Sequence, residues 1–165
     1  MAKITLDGNE CNTNGSLPAM GSSAPDFHLV DGKLNDVHLA DYSGKKILMN
    51  IVPSLDTGIC ATSTKKFNDL ASGRDDVIVL VISSDLPFAQ GRFCSAESVE
   101  NVVTLSLMRT RGFAKDYGVL ITDGPLAGIT ARAVVVLDAT GTVVYTELVP
   151  EIAQEPDYDA AMAAL

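Results

Sequence analysis

Cys60 closes the segment Pro53-Ser54-Leu55-Asp56-Thr57-Gly58-Ile59-Cys60, with Thr57 three residues ahead of it. The apolar run Lys46–Val52 leads in, and the helix-like stretch Ala61–Phe67 follows. A strand, a proline-led turn and a cysteine in the first turn of a helix set a thiol where its anion forms most easily. The unpaired N–H groups and the positive dipole end of the helix stabilise negative charge there. The pattern predicts thiol chemistry. The spacing also puts Thr57 and Cys60 within reach across the first helical turn. A threonine hydroxyl so placed can donate to the sulfur, or hold an oxygen atom beside it. Plainer roles compete: Cys60 as a small buried filler, Thr57 as a helix cap worth about 1 kcal/mol, Pro53 as a rigid strand end.

A thiolate needs a local cation here, because the chain carries a net charge of −9. Arg132 opens an apolar run, Ala133–Leu137, where an unpaired guanidinium would be costly to bury. Arginine suits the task better than lysine, since its planar fork can donate to sulfur and oxygen together. Its plainer role is a surface arginine at a strand end. Cys94 lies 34 residues after Cys60, and its plainer role is a half-buried helix cysteine. Cys11 follows the first turn and reads as an incidental thiol. His28 and His38 have no cysteine or carboxylate at ligand spacing and read as structural or exposed. Asp75-Asp76 and Arg109-Thr110-Arg111 read as solvated loop charges.

These residues must be positioned by a chain of 165 residues, read as one domain, 1–165, able to bury roughly two-thirds of its unfolded surface. A 47% hydrophobic content fits a globular protein. The negative balance argues against nucleic acid and anionic membrane surfaces, which want a basic face. No window approaches the run of about 18 apolar residues of a membrane span, and the N-terminus lacks a signal-peptide core. A cytoplasmic location is therefore expected. Three cysteines are an odd number and too few for a disulfide scaffold, so a disulfide there would be transient and catalytic. With no Cys-x-x-Cys and no Cys/His cluster, no metal or other cofactor is expected.

Ile4-x-Leu6 followed by Asp7-Gly8 predicts a hairpin with a type I′ turn. Asp26–Val30 and Asp36–Leu39 are short strand candidates around Asp31-Gly32. From residue 46, β and α signals alternate. Ile47–Val52 and Val77–Ile82 read as buried strands. Gly58–Ala71 reads as a helix, with Asp56 or Thr57 as its cap and Gly73 at its stop. Ser84-Asp85-Leu86-Pro87 reads as a cap before a first-turn proline, opening a short helix from Phe88 to about Cys94. Asn101–Leu107 is strand-like, and Gly112–Tyr117 is a helix that Gly118 ends. Arg132–Asp138 and Thr142–Leu148 form a hairpin, and Asp157–Leu165 is a terminal helix. The sum is an α/β fold: a thioredoxin-like mixed sheet flanked by helices, with an N-terminal β-hairpin.

Pro53-x-x-x-Thr57-x-x-Cys60 resembles the active-site signature of the peroxiredoxins, and Asn50–Ser63 looks like their bacterial thiol peroxidase branch, whose members are atypical two-cysteine peroxiredoxins. Ser83–Cys94 is similar to that branch's second-cysteine segment, Asp123–Asp138 to its arginine segment, and Pro150–Ile152 with Glu155–Tyr158 to its C-terminal part. The resemblance implies Cys60 as the peroxidatic cysteine, oxidised to a sulfenic acid. It implies Thr57 and Arg132 as binders of the peroxide oxygens, Pro53 as a shield, and Cys94 as the resolving cysteine. A Cys60–Cys94 disulfide would then be reduced by thioredoxin. The family also implies a homodimer and a hydroperoxide substrate, either hydrogen peroxide or an alkyl hydroperoxide. Ile59, Leu126, Ile129 and Phe88 would form an apolar surround for the alkyl chain. Both cysteine segments start just after turns, and Gly91 weakens the second helix, so oxidation is expected to rearrange them. Competing readings are a peroxide-sensing signalling protein using the same thiols, a disulfide reductase or isomerase, and a non-catalytic binding domain. Ser63, three residues after Cys60, argues against the reductase.

Overall fold

The computed structural model describes residues 1–165. Strands β1 (Lys3–Leu6) and β2 (Asn9–Asn12) form the antiparallel N-terminal hairpin. Its turn puts Asp7 and Gly8 at φ 52° and 78°, as a type I′ turn requires. Then come β3 (His28–Val30), β4 (Asp36–His38), a single 3-10 turn at Leu39–Tyr42, β5 (Lys46–Ile51), α1 (Gly58–Ala71), β6 (Val77–Ser83) and α2 (Pro87–Glu97). The chain closes with β7 (Val103–Ser106), α3 (Gly112–Asp116), β8 (Ala133–Leu137), β9 (Val143–Leu148) and α4 (Tyr158–Ala163).

Seven strands make one sheet in the order β4-β3-β7-β6-β5-β8-β9. β5, β6 and β7 run parallel, while β8 and β9 add an antiparallel edge on one side and β3 and β4 on the other. Side chains alternate across a strand, so the sheet feeds two cores. Ile47, Met49, Ile51, Val135 and Leu137 face Phe113 and Tyr117 of the α3 region. Leu48, Val52, Val134 and Val136 face the other way, onto Cys60, Phe67, Phe93 and Tyr158 from α1, α2 and α4. A smaller cluster of Ile4, Cys11, Ile121, Ala131 and Ile152 seats the hairpin on the body. No helix is long and apolar enough to cross a membrane.

Several local expectations change. α1 has the expected bounds and Gly73 follows it at φ 77°, but its N-cap Thr57 makes no side-chain capping bond. α2 runs to Glu97 rather than ending near Cys94; Pro87 sits in its first turn, and the cap is Leu86, not a polar side chain. Between β3 and β4 Leu34 takes a left-handed backbone (φ 67°), and Asp31 Oδ1 accepts from the Lys33 and Asn35 amides in the same turn. Arg109 is not a free loop charge: it pairs with Asp36 and donates to the Leu34 carbonyl. The histidines also gain partners across strands. His28 meets Asp36 at 2.6 Å, His38 meets Asp26 at 3.5 Å, and their rings stack at 5.3 Å.

Candidate active site

Strand parity brings the arginine to the cysteine. Arg132 directly precedes β8 and shares the parity of Val134 and Val136, which face α1, so its side chain enters the layer that holds Cys60. Both are buried, Cys60 at 0% exposure and Arg132 at 1%. Arg132 Nη2 donates to Cys60 Sγ at 3.3 Å, and Nε donates to the Ile152 carbonyl at 2.9 Å. Nη1 is buried without a partner. A buried orphan donor costs roughly 1–3 kcal/mol, so an incoming acceptor gains what the guanidinium lacks.

The loop before α1 is fixed at each end. Thr130 Oγ1 donates to the Val52 carbonyl at 2.8 Å, just ahead of buried Pro53. Beneath α1, Asn50 Nδ2 donates to Ser63 and Thr64 hydroxyls at 3.3 and 3.4 Å, and Ser63 donates to the Cys60 carbonyl at 3.1 Å. Thr57 sits at the helix mouth, yet its hydroxyl donates to the Ser54 carbonyl at 3.0 Å rather than to sulfur.

Pro53, Thr57 and Arg132 line one cavity of about 370 Å³. Ile59, Leu126 and Ile129 supply apolar walls as expected, whereas Phe88 does not: it stands 68% exposed on α2. Arg132 is the one cation among the lining residues. Cys60 lies behind Arg132 and the loop, outside the lining itself. The far wall comes from the hairpin tip, Leu6 and Asp7, and from Ile152 and Ala153. Glu151 ties these pieces together, accepting from Thr5 Oγ1 at 2.7 Å and from the Asp7, Gly8 and Ala153 amides, each at 3.1 Å. Those bonds, Thr5 first, hold its carboxyl down to about 2. Its neighbour's carbonyl, at Ile152, is the one that orients Arg132.

Cys94 lies on α2, half-buried against the apolar cluster that contains Cys60, and burial pushes its thiol up. Cys11 is buried in the hairpin seat, where desolvation and then Asp123 and Glu151 raise it. All three cysteines are free thiols, with α1 and α2 both wound. Two carboxylates at the site escape a sequence reading. Asp85 reads as a helix cap, but its side chain reaches the Cys60 loop instead. Glu151 bonds across 146 residues to Thr5, a link with no local signal.

The Redoxin family matches residues 19–162, and the chain belongs to that family, with its thioredoxin-like peroxiredoxin fold. A peroxiredoxin-like protein from Aquifex aeolicus superimposes with a TM-score of 0.93 at 42% identity, over 99% of this chain and 95% of that one. The nearer likeness is to thiol peroxidases. That of Mycobacterium tuberculosis is 56% identical over 100% of this chain and 99% of its own length. That of Corynebacterium glutamicum is 51% identical over the same shares. The chain is accordingly a peroxidase, an oxidoreductase of the thiol peroxidase kind.

Proposed function

We propose that the chain reduces hydrogen peroxide and alkyl hydroperoxides through Cys60, Cys94, Thr57, Arg132 and Pro53, and is recycled by thioredoxin. The observation that carries this reading is the buried Arg132, with one nitrogen on Cys60 Sγ and another unpartnered, at the edge of an apolar cavity. The Cys60 thiolate attacks one peroxide oxygen: Cys60–S⁻ + ROOH + H⁺ gives Cys60–SOH + ROH. Negative charge spreads over both oxygens in the transition state, and fixed donors aimed at them lower the barrier. Arg132 Nη1 and a rotated Thr57 hydroxyl are those donors, while Pro53 keeps water from the sulfur. The cavity, at the small end of ligand-pocket sizes, fits a short alkyl chain.

Cys94–SH then condenses with Cys60–SOH to a disulfide and water, and a thioredoxin dithiol reduces it. Burial holds the Cys94 thiol in its protonated, poorly nucleophilic form while α2 is wound. Resolution therefore follows local unwinding of both cysteine segments. A homodimer in the reducing cytoplasm belongs to the same reading, on the strength of the family likeness. The test is peroxide consumption coupled to thioredoxin and its reductase. Cys60→Ser should abolish turnover, and Cys94→Ser should keep one round of reduction but lose recycling. Turnover retained by Cys60→Ser would overturn the reading.

A further inference from the structure

Asp85 sits between the two cysteine segments and holds both. Its Oδ1 accepts from Ser54 Oγ at 2.7 Å, and its Oδ2 accepts from the Leu55 amide and the Ser83 hydroxyl, both at 2.8 Å. The Leu55 amide has no main-chain acceptor. Asp85 is itself anchored, since Ser106 Oγ donates to its carbonyl at 2.6 Å. From Ser83 Oγ the network passes to Gln90 on α2, which donates to it at 3.1 Å and to the Leu105 carbonyl at 2.9 Å. A weaker exposed ion pair, Arg92 to Asp56 at 3.4 Å, crosses the same gap. Leu55 is buried in the apolar cluster of Cys60, so fixing its amide fixes the loop that presents the sulfur.

We propose that Asp85 is a positioning residue for the peroxidase cycle, a latch that holds the Cys60 loop wound for peroxide attack and whose release permits closure onto Cys94. The inference rests on the cycle proposed above. The two steps want opposite loop states. Attack on peroxide needs Cys60 under Arg132; closure, Cys60–SOH + Cys94–SH giving the disulfide and water, needs the two Cα atoms within about 7 Å. A latch that stabilises one state taxes the step that uses the other.

The test is single-turnover oxidation of wild type, Asp85→Ala and Asp85→Asn, quenched in acid and read by mass spectrometry for sulfenate and disulfide. Asp85→Ala should slow Cys60 oxidation and speed disulfide closure, changing the ratio of the two rates by about tenfold, the worth of one bond to a charged group. Asp85→Asn keeps an acceptor for the Leu55 amide and should lie near wild type. General destabilisation would not move the two rates in opposite directions. Unchanged rates, or a shift of both in one direction, would overturn the latch. Should Asp85→Ala fail to fold, Ser54→Ala removes one tie and should shift both rates in the same opposed sense, by less. Protection of the Leu55 amide in the reduced wild type is also required, and free exchange there overturns the latch. A wild type that consumes peroxide without forming the Cys60–Cys94 disulfide overturns the cycle and the latch together. A wild type that forms it, beside an Asp85→Ala that behaves identically, overturns the latch alone.

Discussion

In Arg132→Met, activity and stability should part company. The guanidinium makes one hydrogen bond to Cys60 Sγ at 3.3 Å and has one unpaired nitrogen, Nη1. A hydrogen bond with one charged partner, here the guanidinium, is worth about 1.5–3 kcal/mol net. A fixed donor to an oxygen that gains charge in the transition state adds about 2.7–4 kcal/mol. The sum, about 4–7 kcal/mol, corresponds to a loss of about 10³–10⁵ in kcat/KM. Folding should respond quite differently. The desolvation cost of a buried guanidinium with one nitrogen unpartnered, of the order of several kcal/mol, disappears with the ion. Against that stands the Ile152 carbonyl, which loses its donor at a cost of about 1–3 kcal/mol. These terms nearly cancel, so Tm should stay within about 5 °C of wild type. Stopped-flow peroxide consumption and scanning calorimetry on the same preparation decide the matter. A variant that keeps more than about a tenth of wild-type kcat/KM would refute the argument. So would one whose lost activity merely follows lost folding. Arg132→Lys, with one point charge in place of a fork, should fall between the two.

The remaining predictions concern the cavity wall, a close approach and the third thiol. Glu151 titrates at about 2 in the folded chain, below its ordinary 4.5, so its tie to the hairpin is complete above pH 4.5 and is lost as pH falls toward 2. Protection of the Asp7 and Gly8 amides should therefore fall in that window, and Glu151→Gln should be weakly protected throughout with no transition. Gly118→Ala should cost about 2–5 kcal/mol, or about 5–15 °C in Tm, from its left-handed backbone and from overlap. A Cβ there would lie 2.2 Å from the Ser16 carbonyl oxygen, at φ 68°; a Tm within 2 °C of wild type, on the scale of a few degrees per kcal/mol, would contradict the clash. In the oxidised chain Cys11, at 4% exposure, should be the one free thiol and should react only after denaturation; rapid labelling of the native protein would contradict its burial.

The parts of the fold that are legible in the sequence are those with a short-range cause. The bounds of α1 follow from the turn before it and Gly73 after it, and the hairpin from Asp7-Gly8. β6 follows from an unbroken apolar run, Val77–Ile82, and β5 from one interrupted only by Asn50. The meeting of Arg132 with Cys60 is half legible. Burial of an arginine at a strand start signals a partner, but which partner depends on sheet order and parity. Where reading failed, a distant partner outbid the local one. Asp85 reaches the Leu55 amide, 30 residues away, and leaves α2 with an apolar cap. Local detail intervenes as well: Thr57 turns its hydroxyl to the Ser54 carbonyl three residues back, and Phe88 faces outward because Pro87 and Gln90 take the buried side of α2. No periodicity or motif carries such information.

The stitch between Glu151 and residues 5–8 has a bearing on how the chain can vary. Two stretches from opposite ends of the sequence form a single wall of the cavity, while Cys60 sits in the sheet-and-helix body on the other side of Arg132. Leu6 and Ala153 are thus free to change in concert, reshaping what the cavity admits, while Ile152, whose carbonyl holds Arg132, stays fixed. Substitutions at 6–7 should covary with those at 153 among descendants of this gene, as an evolvable module beside a fixed reaction centre.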